Sequence, residues 1–172
     1  MKIAYRLRQL VANLRARPLA EDARREVADL LSEREQALFY GYTYADQAHA
    51  IRVLHCLRDA GYNHPDLLTA ALLHDTGKIR CPLSVWDRTI IVVGSALFPR
   101  RAIEWGNGSL DSRRRPFIAR ARHPQWGAEM AAAAGSRPAV IDLIRRHQDK
   151  HDSVDNENDR LLVQLQWADD QS

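Results

Sequence analysis

A chain of 172 residues is long enough for one domain with a proper core and short for two. Its 45% hydrophobic and 27% charged residues are those of an ordinary globular protein, and a net charge of +3 favours an anionic partner without naming one. No stretch reaches the ~20 apolar residues of a membrane-spanning helix; the most apolar run, Thr89 to Phe98, is about half that and reads as a core helix or a sticky surface.

The N-terminus mixes Arg through its apolar residues and lacks the continuous apolar centre of a signal peptide, so a cytoplasmic location is expected. Helical spacing dominates the chain, and the fold class expected is all-α. The first helix, Ile3 to Arg15, places Leu7, Leu10, Val11 and Leu14 on one stripe. Pro18 punctuates, and a second helix runs to about Leu31. Ser32 with Glu35 has the form of a capping box, opening a short helix through Tyr40 that Gly41 closes. Thr43 with Asp46 opens the next helix, Tyr44 to Ala60, which carries His49 and stops at Gly61. Pro65 sits at a first helical position, and the helix to Asp75 is apolar on nearly every side, which predicts burial in the middle of the fold.

Further helices are expected over Leu83 to Phe98, Ala102 to Trp105, Pro124 to Ala133, Pro138 to His147, and from Asn158 onward. Gly106 to Pro116, with Arg113, Arg114 and Arg115, reads as the main loop, its charge run most simply a solvated face. Cys56 and Cys81 read as buried free thiols. Trp86, Trp105, Trp126 and Trp167 read as core or interface residues. Residues 1–42 form a helical arm packed on the core domain, 43–172.

Chemistry is carried by polar residues that interrupt apolar helices. His49, the doublet His74-Asp75, His147 and Asp169 each follow several core-like positions. Ionisable groups buried there need partners or a metal, and imidazoles with carboxylates from separate helices suit a divalent transition metal. Taken singly, each is better explained as a hydrogen-bonded core His or a capping Asp. The adjacent His74-Asp75 at the end of an apolar helix is harder to explain that way. His55 lies about 240° around the helix from His49 and faces elsewhere. His64 falls in a turn before Pro65, and His151 fits a supporting position or a loop equally.

The pattern of His49, then AALLHDTGK across Ala70 to Lys78, then Asp169 in a final WAD helix resembles the HD superfamily of metal-dependent phosphohydrolases. The resemblance spans roughly Thr43 to Asp169 and implies an HD-domain helical bundle in which His49, His74, Asp75 and Asp169 bind one metal. RHPQWGAEM and LIRRHQDKH resemble segments of the binuclear branches, the HD-GYP phosphodiesterases and symmetrical diadenosine tetraphosphate hydrolases. That likeness implies that His123 and His147 complete a second site, with Asp75 bridging. Ala45 stands where trinuclear HD-GYP proteins carry Glu, Gln148 replaces a second histidine, and the Gly-Tyr-Pro signature is missing, so cyclic di-GMP hydrolysis is not expected. The segment Pro82 to Arg122 is longer than in those proteins and suggests a lid or a partner surface.

The expected function is therefore hydrolysis of a phosphate ester or anhydride in a nucleotide or other small phosphorylated metabolite. Asp75 and Lys78 are the catalytic candidates, with one or two divalent ions (Mn, Fe, Ni, Co or Zn) as cofactors. Lys78 can meet a substrate phosphate as a point charge. Arg145 or Arg146 can point to the site, and the Arg113–Arg115 run can clamp phosphates. The alternatives are a phosphodiesterase on a cyclic or dinucleotide substrate, and a regulatory module that binds metal or nucleotide without turnover. Nucleic-acid binding through the Arg-rich N-terminus ranks last, and the apolar Ile90 to Phe98 segment offers a homodimer surface. Asp169 lies in a last turn of the kind that frays, so metal binding is expected to order it.

Overall fold

The computed structural model describes residues 17–150 and 153–172. The expected helix Ile3 to Arg15 and His151 lie outside them. Nine α-helices and one 3-10 turn, with no strand, make up the described residues.

Local signals set most of the boundaries. Helix α1, Glu21–Leu30, begins with Glu21 and Asp22, whose charges suit the positive end of the helix dipole. The Ser32 box is formed: the Ser32 amide donates to Glu35 Oε2 at 2.9 Å, and the Glu35 amide returns a 3.4 Å bond to Ser32 Oγ. It opens α2, Glu33–Tyr40. Thr43 Oγ1 accepts from the Asp46 amide at 3.2 Å and opens α3, Tyr44–Asp59. Gly61, at φ 81°, then reverses the chain, and the Tyr62 amide closes on Leu57 O at 2.9 Å.

Helix α4, Pro65–Leu73, starts on its proline, with the His64 imidazole accepting from the Asp66 amide at its N-terminus. Leu67 through Leu73 are all buried, so beyond Pro65 and Asp66 at its N-terminus no face of α4 meets water. The helix lies among α1, α2, α3, α8 (Pro138–Arg146) and α9 (Glu157–Gln171). Val27, Phe39, Leu54, Leu143 and Leu162 surround it in one core, which residues of α1 and α2 share. A 3-10 turn, Thr76–Arg80, follows at once and packs on the long α7, Arg115–Ala134.

The segment after the turn departs from expectation. Helix α5, Val85–Leu97, is capped by Ser84, and α6, Pro99–Trp105, starts before the expected Ala102. Pro124 does not open a helix; it lies inside α7, which begins at Arg115 with Pro116 in its first turn. A proline inside a helix removes one i→i−4 hydrogen bond and is costly there, so a start signal was the natural reading. The lost bond has a use at the site. Cys81 is a buried free thiol, whereas Cys56 is only half-buried. Trp86 is 78% exposed and so belongs to no core.

Candidate metal centre

The expected ligands arrive from five places: His49 from α3, His74 and Asp75 just past α4, His123 from α7, His147 at the end of α8, and Asp169 from α9. The fold brings all six together in two trios, His49 with His74 and Asp169, and Asp75 with His123 and His147, each able to hold an ion. His49 Nε2 lies 2.8 Å and His74 Nε2 3.7 Å from Asp169 Oδ1. Asp75 stands between the trios. Its Oδ2 is 3.4 Å from His74 Nε2, and its Oδ1 is 3.3 Å from His123 Nε2 and 3.8 Å from His147 Nε2.

Three of the imidazoles are aimed by the backbone. His74 Nδ1 meets Ala71 O at 3.0 Å, His123 Nδ1 meets Arg120 O at 2.8 Å, and His147 Nδ1 meets Ile144 O at 2.7 Å. Carbonyls accept only, so Nδ1 carries a proton in each and Nε2 is the nitrogen turned to the site. Each accepting carbonyl lacks its usual helical partner. Ala71 and Ile144 lie in last turns, where carbonyls have no amide ahead of them. Arg120 lies four residues before Pro124, which has no N–H to give. The proline thus leaves free the carbonyl that orients His123.

The donor set fits a divalent cation. His123 and His147, each with Nδ1 on a carbonyl, turn their Nε2 atoms toward each other across 3.2 Å, an arrangement that suits a shared cation. His74 Nε2 is buried without a hydrogen-bond partner. Imidazole with carboxylate suits manganese, iron, cobalt, nickel or zinc.

Charge is finely balanced here. Burial works against the charged form of every group, but neighbours override it in most. Asp75 is held well below the usual carboxylate range by Lys78, which contacts its Oδ2, and by His74 and His123. Asp75 and Asp169 in turn lift His74 to about 9. A hydrogen bond from His49 brings Asp169 down to about 2. His147 goes the other way, to about 3, because burial and the His74 charge disfavour a second cation. Lys78 is raised by Asp75 and Asp46 and stays an ammonium.

A cavity of about 530 Å³ opens beside the second trio, where His123 and Gln148 form part of its wall. Lys78, Arg88 and Arg120 bring positive charge to it, and Ile79, Leu83, Ile91 and Val92 line it with hydrocarbon. Its size is that of a small-molecule site.

The remaining expectations separate clearly. Asp46 faces this cavity, where it accepts from Thr43 Oγ1 at 2.6 Å and from Arg88 Nη2 at 3.1 Å. Arg146 does not turn to the site: Asp142 and Asp159, at 3.0 and 2.7 Å, draw it to the α8–α9 contact, and Arg145 is exposed. Arg115 braces the loop after the 3-10 turn through Cys81 Sγ and Pro82 O, and Arg113 and Arg114 are exposed. His55 pairs with Glu26, away from the centre. Sequence reasoning missed Arg88, Arg120 and Gln166. The Gln166 amide donates to the carbonyls of His147 and Asp149 at 3.1 and 2.8 Å, tying α9 to the chain that carries His147.

No family model, no curated protein and no solved structure matches this chain. The functional reading therefore rests on the residues, their geometry and the motif resemblance.

Proposed function

We propose that this protein is a metal-dependent phosphohydrolase, cleaving a phosphate ester or anhydride of a nucleotide or other small phosphorylated metabolite. The observation that carries it is the convergence of imidazole Nε2 atoms on the two oxygens of Asp75, beside a cationic cavity. In this reading His49, His74, Asp75 and Asp169 would hold one ion, and Asp75, His123 and His147 a second. This is the arrangement implied by the resemblance to the HD superfamily.

Divalent ions bound there supply Lewis acidity, activating water near neutral pH and neutralising charge on the phosphoryl group. The protein does the rest. Backbone carbonyls accept from three Nδ1–H groups and so aim the three Nε2 atoms at the site. Lys78, in the cavity wall beside Asp75, holds an anionic phosphoryl oxygen as a point charge. Arg88 and Arg120 attract the phosphate and offset its remaining charge.

Metal analysis of the purified protein, followed by a panel of phosphorylated compounds with added Mn²⁺, Fe²⁺, Co²⁺ or Ni²⁺, tests this. Turnover that Asp75→Ala abolishes is the expected result. Thermal stabilisation by phosphorylated ligands without any turnover would show a regulatory module instead.

A further inference from the structure

Helix α5 is apolar on two opposite faces. Arg88, Ile91 and Val92 line the cavity, and Ser95 on the same side accepts from Arg120 at 2.8 Å. Trp86, Ile90, Val93 and Leu97 recur at helical spacing within about 60° of one another on the reverse side. Their exposures are 78%, 49%, 49% and 66%, and Phe98 and Ile103 continue the patch at 49% and 75%. A contiguous apolar surface of this kind on a folded chain marks an interaction site.

Charge says what kind of surface covers it. Residues 82–122 contain eight Arg and no Lys, against Asp87, Glu104 and Asp111. That segment carries +5 of a chain whose total is +3, so the remainder is negative. Arg100 and Arg101, both exposed, follow the stripe directly, and Arg113 and Arg114 lie exposed in the next loop. Apolar side chains with Trp at one end and arginines at the other describe a helix lying in the interface of an anionic bilayer. A second copy of this chain would bring the same arginines together. No helix among the described residues is long and apolar enough to cross a membrane, so the contact is peripheral.

The geometry points to one function for both faces: we propose that the α5–α6 surface seats on an anionic lipid surface and that the cavity beneath it takes a membrane-resident phosphomonoester. The hydrocarbon wall of Ile79, Leu83, Ile91 and Val92 receives the start of the lipid's apolar part, with the phosphate toward Lys78 and His123. In the reaction, water oxygen bonds to phosphorus as the ester P–O bond breaks. The alcohol leaves with a proton and stays in the membrane, and inorganic phosphate departs. This rests on the phosphohydrolase reading for its chemistry, although the docking does not.

Flotation of the full chain with phosphatidylglycerol–phosphatidylcholine vesicles, in chelator, reads docking without catalysis. The protein is expected to float with these vesicles, far less with phosphatidylcholine alone, and to be released by high salt. Trp86→Ser with Leu97→Ser is expected to lower partitioning about tenfold or more, leaving hydrolysis of 4-nitrophenyl phosphate and the melting temperature unchanged. With metal restored, phosphate release from phosphatidic acid in the vesicles should fall in that variant alongside binding. Protein that hydrolyses the soluble ester but never floats overturns this inference and leaves the phosphohydrolase reading standing. So does a wild-type dimer that the double variant turns into monomers, since a second copy then covers the face. Flotation without release from vesicle lipid, in protein active on soluble esters, overturns the substrate assignment.

Discussion

Gly77→Ala is the sharpest test of how the centre is held. A Cβ built on Gly77 would lie 1.9 Å from His123 O and 2.7 Å from Gly127 N, where real Cβ atoms do not come within 3.0 Å. Both obstacles are backbone, so relief requires the 3-10 turn and α7 to separate by roughly 1 Å. Asp75 precedes Gly77 by two residues and His123 sits on the obstructing carbonyl, so their 3.3 Å approach would widen past 4 Å. Overpacking of this kind costs about 1–3 kcal/mol, and a clash of backbone on backbone belongs at the upper end. For a chain of this size that is a fall in Tm of roughly 6–12 °C. Metal affinity should drop by about 10–100-fold, as it does when ligand support is lost. Gly127→Ala is the internal control: its Cβ meets Gly77 N, Ile144 Cγ2 and Thr76 Oγ1 at 3.1 Å, so smaller losses are expected. Differential scanning calorimetry and Mn²⁺ titration read both quantities. A Gly77→Ala protein that melts within about 2 °C of wild type and binds Mn²⁺ equally well would refute the reasoning.

Three other outcomes follow from particular contacts. Because Asp75 and Asp169 raise His74 to about 9, that imidazole is protonated at neutral pH without metal, so ion binding should release a proton. Titration calorimetry in buffers of differing ionisation heat should show it, with affinity increasing as pH rises toward 9; a buffer-independent heat at pH 7 would count against the assignment. Glu35 is another case, since burial would raise its carboxyl but hydrogen bonds from Ser136 and Ser32 hold it below 4.5. The depressed value means that its ionised form stabilises the fold above the ordinary Glu range, and this is lost as pH falls through the folded value. Wild-type Tm should therefore fall more steeply in acid than that of Glu35→Gln, and parallel curves would dismiss the effect. Finally, chelation should raise amide exchange across Val163 to Asp169, and Gln166→Ala should raise it further by cutting the ties to His147 O and Asp149 O. Identical exchange with and without chelator would separate Asp169 from metal binding.

Much of this arrangement was legible in the residues because short-range chemistry wrote it. Ser32 with Glu35, Thr43, Gly61 and Pro65 each set a boundary through a bond or dihedral within a few positions of itself. The all-round apolarity of α4 placed it at the centre; polar residues interrupting apolar helices led to five of the six converging side chains, and His123 came from the resemblance of its RHPQWGAEM segment. Pro124 misled because a start signal and an interior proline look alike along the chain. What separates them is Pro116, better placed for the first turn, and a preceding His able to use the freed carbonyl. Arg88, Arg120 and Gln166 were invisible for another reason: on a helix, long polar side chains read as solvated until their partners from distant segments are in place.

The burial of α4 on every side has a dynamic corollary. Any local opening that bares this helix gives up nearly the whole apolar interior at once, so partial unfolding there is almost as uphill as complete denaturation. Breathing motions are left to α5, whose outer stripe has no protein behind it among the described residues. His74 and Asp75, at the end of α4, are thereby anchored to the part of the fold least prone to open.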